Sequence, residues 1–90
     1  MLFLTIISPE RILFKGEVEN VLVPGEMGEF EILTNHAPII STLLEGRVIY
    51  TIGSEKKLIT ITGGFVEVKR NEVNLCVELQ LLIDDIDISL

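Results

Sequence analysis

Residues able to do chemistry are few in this chain. It has one histidine, His36, and one cysteine, Cys76. A zinc site closed by protein ligands needs four donors at short spacings, and neither a second histidine nor a Cys-x-x-Cys pair is present. His36 stands between Asn35 and Ala37, just ahead of Pro38. A general base there would need a partnered nucleophile, and a lone loop histidine more often makes a structural hydrogen bond or an interface contact. Cys76 sits among Val73, Leu75 and Val77 as a small strand residue. It has no partner for an internal disulfide, which fits a reducing compartment. Carboxylates are plentiful, but Glu17 and Glu19, like Glu29 and Glu31, lie two positions apart, and on a strand that spacing puts both on one solvent face rather than in a pocket. Gly25, Gly28, Gly63 and Gly64 lack the lysine and the following helix N-terminus of a phosphate cradle and read as turn and bulge glycines. The sequence therefore predicts no catalytic residue, no metal and no cofactor, and leaves nucleotide chemistry to a partner.

The elements that position these residues must come from one small domain. Ninety residues suit a single compact unit, and a domain of this size buries only about 60% of its unfolded surface, so it gains from a partner. Hydrophobic residues make up 48% of the chain and the mean hydropathy is +0.51, so part of the apolar surface is expected to be interface. The formal charge of −7 and pI near 4.5 oppose nucleic-acid binding, which needs a basic face for phosphates. No stretch approaches the ~20 apolar residues of a spanning helix. The run Leu2 to Ile7 lacks the basic flank and small-residue cleavage site of a signal peptide. A soluble or peripheral protein is expected.

Short β-rich runs separated by turn residues fill the first three quarters. Leu2 to Ile7 reads as a strand ended by Ser8-Pro9-Glu10. A second run extends from Arg11 to Val23, but Phe14, Gly16 and Val18 share one face while Val21 and Val23 take the other; a β-bulge near Glu19-Asn20 is expected to absorb the shift. Pro24 to Gly28 is a turn region, and Glu29 to Leu33 alternates as a half-buried strand. After the Thr34-Asn35-His36-Ala37-Pro38 loop come Ile39 to Leu44, then a hairpin of Arg47 to Ile52 and Lys57 to Thr62 joined by Gly53-Ser54-Glu55-Lys56. Phe65 to Lys69 and Val73 to Glu78, turned by Arg70-Asn71-Glu72, complete the body. This pattern predicts an all-β antiparallel sandwich or flattened barrel, with no crossover helices for a parallel α/β fold. Residues 1–78 are read as the domain and residues 79–90 as a short acidic-apolar tail of open conformation.

Several pieces occur in one order: Ser8-Pro9-Glu10-Arg11, Phe14-Lys15-Gly16-Glu17-Val18, Val23-Pro24-Gly25, Gly28-Glu29-Phe30-Glu31-Ile32-Leu33, Asn35-His36-Ala37-Pro38 and Gly63-Gly64-Phe65-Val66-Glu67-Val68. In this order and spacing the chain resembles, from Leu4 to Glu78, the N-terminal domain of the F-type ATP synthase epsilon subunits, called delta in mitochondria. The resemblance implies a β-sandwich of about ten short strands. It also implies a place at the foot of the central stalk, bound to the gamma subunit and the c ring within the alpha/beta catalytic complex. By position, Glu29 would meet the ring, while Ser8 and His36 would face gamma. An acidic loop tip at Glu26 and Glu29 could pair with basic ring loops, and apolar surface around Ile39, Ile40 and Leu43 could cover part of the stalk contact or close the sandwich edge.

The expected place is peripheral, without lipid insertion, on the cytoplasmic face of a bacterial plasma membrane or the equivalent face in an organelle. Many bacterial members of that family carry a C-terminal helical hairpin that can block ATP hydrolysis. A dozen residues after the last strand cannot supply two useful helices, so a natural chain of this length is expected to lack that brake and its ATP site. Two alternatives remain. A stand-alone β-sandwich module for ligands or peptides would need an exposed aromatic platform, against which stand the absence of Trp and a single Tyr50 within a strand. A biotinyl or lipoyl carrier would need a modifiable lysine at a hairpin tip, where Lys56-Lys57 is the nearest candidate.

Overall fold

Alternation builds the first strand. In β1 (Leu2–Ile7), Leu2, Leu4 and Ile6 are fully buried, while Phe3 and Ile7 remain exposed. The same period of two shapes the rest: β2 (Ile12–Val18), β3 (Asn20–Gly25), β4 (Gly28–Ile32), β5 (Ile39–Leu43), β6 (Gly46–Ile52), β7 (Glu55–Ile61), β8 (Gly63–Lys69) and β9 (Glu72–Glu78). The computed structural model describes residues 1–79, and among these there is no helix. Of the tail predicted over residues 79–90, all but Leu79 lies outside the described residues.

The nine strands form one sheet that curls over itself. One layer runs β2-β1-β9-β8-β5 and the other contains β4, β3, β6 and β7, joined where Gly25 of β3 meets Leu43 of β5. Between the layers lies a wholly apolar core that includes Leu4, Ile6, Val21, Val23, Ile32, Val48, Ile61, Val66 and Leu75, with no buried polar side chain among the described residues. On the side away from the β5–β3 join, Phe14 of β2 and Tyr50 of β6 bring their ring centroids to 4.7 Å at 42°, a tilted contact that ties the layers together.

Three features differ from the sequence reading. The parity change between Val18 and Val21 is not a bulge within one strand. Val18 pairs with Leu2 in the first layer, Asn20 pairs with Thr51 in the second, and Glu19 N–H donates to Thr51 O at 2.8 Å. The chain changes sheets at Glu19, and the flip turns each side's apolar residues toward the same core. The second difference is that β1 and β9 run parallel, Leu4 beside Val73 and Ile6 beside Leu75, while the other pairings are antiparallel. The third is the β6–β7 connection. It is the two-residue turn Gly53-Ser54, since Ile52 already pairs with Glu55, and Gly53 takes the positive φ of 61° that such tight hairpins require.

Burial of Tyr50 pushes its hydroxyl pKa above the usual 10.0. The unfolded chain then gives up this proton near its ordinary value while the folded chain still holds it, so stability is full below about pH 10 and declines as pH rises through the folded value. Denaturant midpoints measured across that range should fall with pH, and the fall should be smaller in Tyr50→Phe. An identical slope in the variant would contradict the assignment. Tyr50 is the single tyrosine, so tyrosinate absorbance reports its ionisation directly.

Candidate functional site

The outer surfaces of the two layers are unlike. On the first, strand register aligns Ile7 of β1, Cys76 of β9, Phe65 of β8 and Thr42 of β5 in one row. Ile7 and Phe65 are exposed, Phe65 by 49%. They line an open, mainly apolar depression together with Pro9 and Val77, and Ser8 is at its rim. Ile40, 74% exposed, stands on the same face beside Glu67. Of the apolar group expected around Ile39, Ile40 and Leu43, only Ile40 is free: Leu43 is in the core and Ile39 packs against it. Alternation explains the split, because neighbours on a strand face opposite sides.

Ser8 closes the β1–β2 connection. Its N–H donates to Arg11 O at 2.9 Å, and its Oγ lies 3.3 Å from Arg11 O and 3.5 Å from Glu10 Oε1, so the hydroxyl serves its own turn. His36 lies on the β4–β5 loop, half-buried. Its Nδ1 is 2.8 Å from Ala37 O; a carbonyl only accepts, so Nδ1 is the donor in this contact and Nε2 takes no part in it. The Phe30 ring lies 6.3 Å away. Ser8 and His36 are not neighbours. Ser8 follows the Ile7–Cys76 row, whereas His36 precedes Ile39, which is in register with Val68 and, through it, Val73. They mark opposite ends of the first layer.

Glu29 is the second residue of β4, opposite Pro24, rather than part of the turn itself. The turn is Glu26-Met27, because Gly25 pairs with Gly28. Glu26, Met27 and Glu29 are exposed, Met27 by 98%. The Glu45 segment joins this end: Leu44 N–H donates to Pro24 O at 2.9 Å and Glu26 N–H to Thr42 O at 3.0 Å. No lysine or arginine occurs between Gly16 and Gly46, and among the described residues Glu26, Glu29 and Glu45 have no ion-pair partner within 4 Å, so the tip is acidic. Phe65, Ile7 and Met27 were not singled out from the sequence. For Phe65 the signal was available, since Val66 and Val68 point inward and the same phase turns Phe65 outward with Glu67.

Nothing in the described residues resembles a catalytic constellation. No group of three His, Cys, Asp or Glu side chains could hold a metal ion there, and no helix is long and apolar enough to cross a membrane. Lys56 and Lys57 belong to β7, opposite Thr51 and Tyr50, not to the hairpin tip that a carrier domain requires. Lys57 sits 3.7 Å from Glu55 in an exposed ion pair of little energetic consequence.

A curled β-sandwich with large apolar side chains exposed on one outer face and an acidic, apolar-tipped end belongs to the class of small all-β interaction modules. Residues 1–80 match the beta-sandwich domain of the ATP synthase delta/epsilon chain, and the protein belongs to that family. The ATP synthase epsilon chain of Leptospira interrogans is 44% identical over 85 residues, which are 94% of this chain and 67% of that one. That of Caulobacter vibrioides is 46% identical over 67 residues, 74% of this chain and 78% of its own. Among solved structures, a chain of the Euglena gracilis mitochondrial ATP synthase superposes with a TM-score of 0.83 at 23% identity, covering 98% of this chain and 57% of that one. A chain from the central stalk and c-ring of the Tetrahymena thermophila enzyme gives 0.75 at 18% identity, covering 86% and 63%. At such identities these two likenesses establish the shared fold.

Proposed function

We propose that the protein is a non-catalytic central-stalk subunit of a proton-translocating F-type ATP synthase, coupling the gamma subunit to the membrane c ring during ATP synthesis. The observation that carries the reading is family membership across residues 1–80, shared with relatives named as ATP synthase epsilon chains. In this role it neither makes nor hydrolyses ATP by itself. The apolar face with Ile7, Phe65 and Ile40 packs on gamma, with Ser8 and His36 as polar contacts near its two ends. The Glu26-Met27-Gly28-Glu29 end meets polar loops of the ring.

The division of labour follows from the physics of the two surfaces. Desolvating an apolar face gives affinity, whereas exposed carboxylates at a rim give register and orientation more than affinity. A curled sheet hydrogen-bonded through both layers is stiff along and across its strands, which suits a part that widens the rotor contact and carries torque. Its place is the membrane periphery: the cytoplasmic face of a bacterial plasma membrane, or the matching face in an organelle.

Retrieval of the tagged chain from its native membranes, followed by mass spectrometry, tests this directly. Recovery of gamma together with alpha, beta and c subunits is the expected result. Recovery of none of them from membranes containing intact synthase would overturn the reading, as would ATP turnover by the pure chain.

A further inference from the structure

Two asparagines 36 residues apart meet side to side. Asn71 Oδ1 accepts the Asn35 backbone N–H at 2.6 Å, and Asn71 Nδ2 donates to Asn35 Oδ1 at 3.3 Å. Both residues adopt left-handed backbone, φ 68° at Asn35 and 63° at Asn71, a conformation uncommon outside glycine and best tolerated by Asn and Asp. The Asn71 carbonyl also accepts Phe3 N–H at 2.9 Å. One residue of the β8–β9 turn thus ties together the start of β1 and the β4–β5 loop.

That loop has little else to hold it. Leu33, Thr34, Asn35, Ala37 and Pro38 are all exposed, so burial does not fix their backbone. Its own closing bond is His36 N–H to Leu33 O at 3.0 Å. His36, the next residue after Asn35, owes its orientation to this short frame and to the Ala37 carbonyl.

We infer that Asn71 is a positioning residue: through its paired hydrogen bonds to Asn35 it latches the β4–β5 loop and presents His36 in one orientation to the gamma subunit. The inference rests on the function proposed above and adds to it a residue that touches no partner. The alternatives for a left-handed site explain what the asparagine adds. Glycine would satisfy the backbone at either position at no steric cost, but only a side chain can reach across to the other loop.

Asn71→Gly is therefore the informative variant, since it relieves the backbone while deleting the latch. It should keep its thermal midpoint, or raise it slightly, while the Asn35 amide exchanges roughly fivefold faster or more, the effect of losing one ordinary hydrogen bond. The ring resonances of the single histidine should broaden or shift toward free histidine, and affinity for purified gamma should fall. Asn71→Asp keeps the Oδ1 acceptor and tolerates left-handed backbone, so it should recover a large part of the Asn35 protection and the gamma affinity. Unchanged His36 resonances and Asn35 exchange in Asn71→Gly would overturn the latch, as would equal gamma binding by Asn71→Gly and the parent chain. Absence of gamma binding by the parent chain would instead overturn the function on which the inference rests, while the exchange and resonance measurements still decide whether the latch exists.

Discussion

Gly64→Ala is expected to remove a large part of the folding stability, whereas Gly63→Ala one residue earlier is expected to be nearly silent. Gly64 has φ +148°, where an L side chain is strained. A Cβ there would run into the Cys76 carbonyl oxygen and come within 2.9 Å of Val77 Cα. These are backbone atoms of β9, which is held on one side by β1 and on the other by β8, so neither can yield without loosening two ladders. Gly64 itself pairs with Leu43 on one side and Val77 on the other. Backbone strain of about 1–3 kcal/mol and overpacking of about 1–3 kcal/mol together approach the ~5–15 kcal/mol that holds such a domain folded. At about 4–8 °C per kcal/mol, the midpoint should drop by at least ~10 °C, with loss of soluble protein at the upper end. A Cβ on Gly63 would meet only Leu43 O, at 3.8 Å. Thermal melts of the two variants side by side check the claim, and equal midpoints would refute it.

The fold was legible wherever alternation met a clear solvent face. Leu2, Leu4 and Ile6, and later Val73, Leu75 and Val77, are buried, as their period of two requires. The parity change after Val18 was legible as an event but not as its kind. A bulge and a change of sheet both reverse the phase, and only the partners of Val18 and Asn20 separate them. The parallel pairing of β1 with β9 left no local mark, because it joins the two ends of the domain and no turn residue announces it. Turn positions were legible both at Gly53 and at Arg70-Asn71, but the positive φ that Arg70 and Asn71 adopt without glycine was not.

For the candidate surfaces the limit was different. Residue types identified Glu29 as acidic and His36 as the lone imidazole, but neither shows in the sequence which end of the sheet it occupies. Ser8 and His36 were paired by resemblance, and the registers around Ile7 and Ile39 put them at opposite ends of one layer. A contact that used both would have to run the length of that layer. The exposed apolar residues between them are the ones with enough area to make such a contact worth having, which shifts attention from the polar ends to Phe65.

Phe65→Glu is expected to abolish stable attachment to the rest of the synthase while leaving the fold nearly intact. The ring is on the outer face and 49% exposed, so the folded monomer has little to lose. A phenylalanine carries ~200 Å² of surface, and the half still open, about 100 Å² at ~25 cal/mol per Å², corresponds to about 2.5 kcal/mol on covering by a partner. A carboxylate forfeits that term and adds the desolvation of a charge with no lysine or arginine as its strand neighbour, since Phe65 pairs with Thr42 and Cys76. Affinity should fall by 100-fold or more, ~1.4 kcal/mol being tenfold. Leu58→Glu is the matched control. Leu58 is 51% exposed but lies on the other layer, opposite Ile49 on β6, outside the proposed gamma face. Both variants should melt close to the parent chain, and competition against it for purified gamma should separate them: Leu58→Glu competes and Phe65→Glu does not. Equal competition by the two would place the gamma contact elsewhere on the sandwich, and the reverse order would move it to the β6–β7 face.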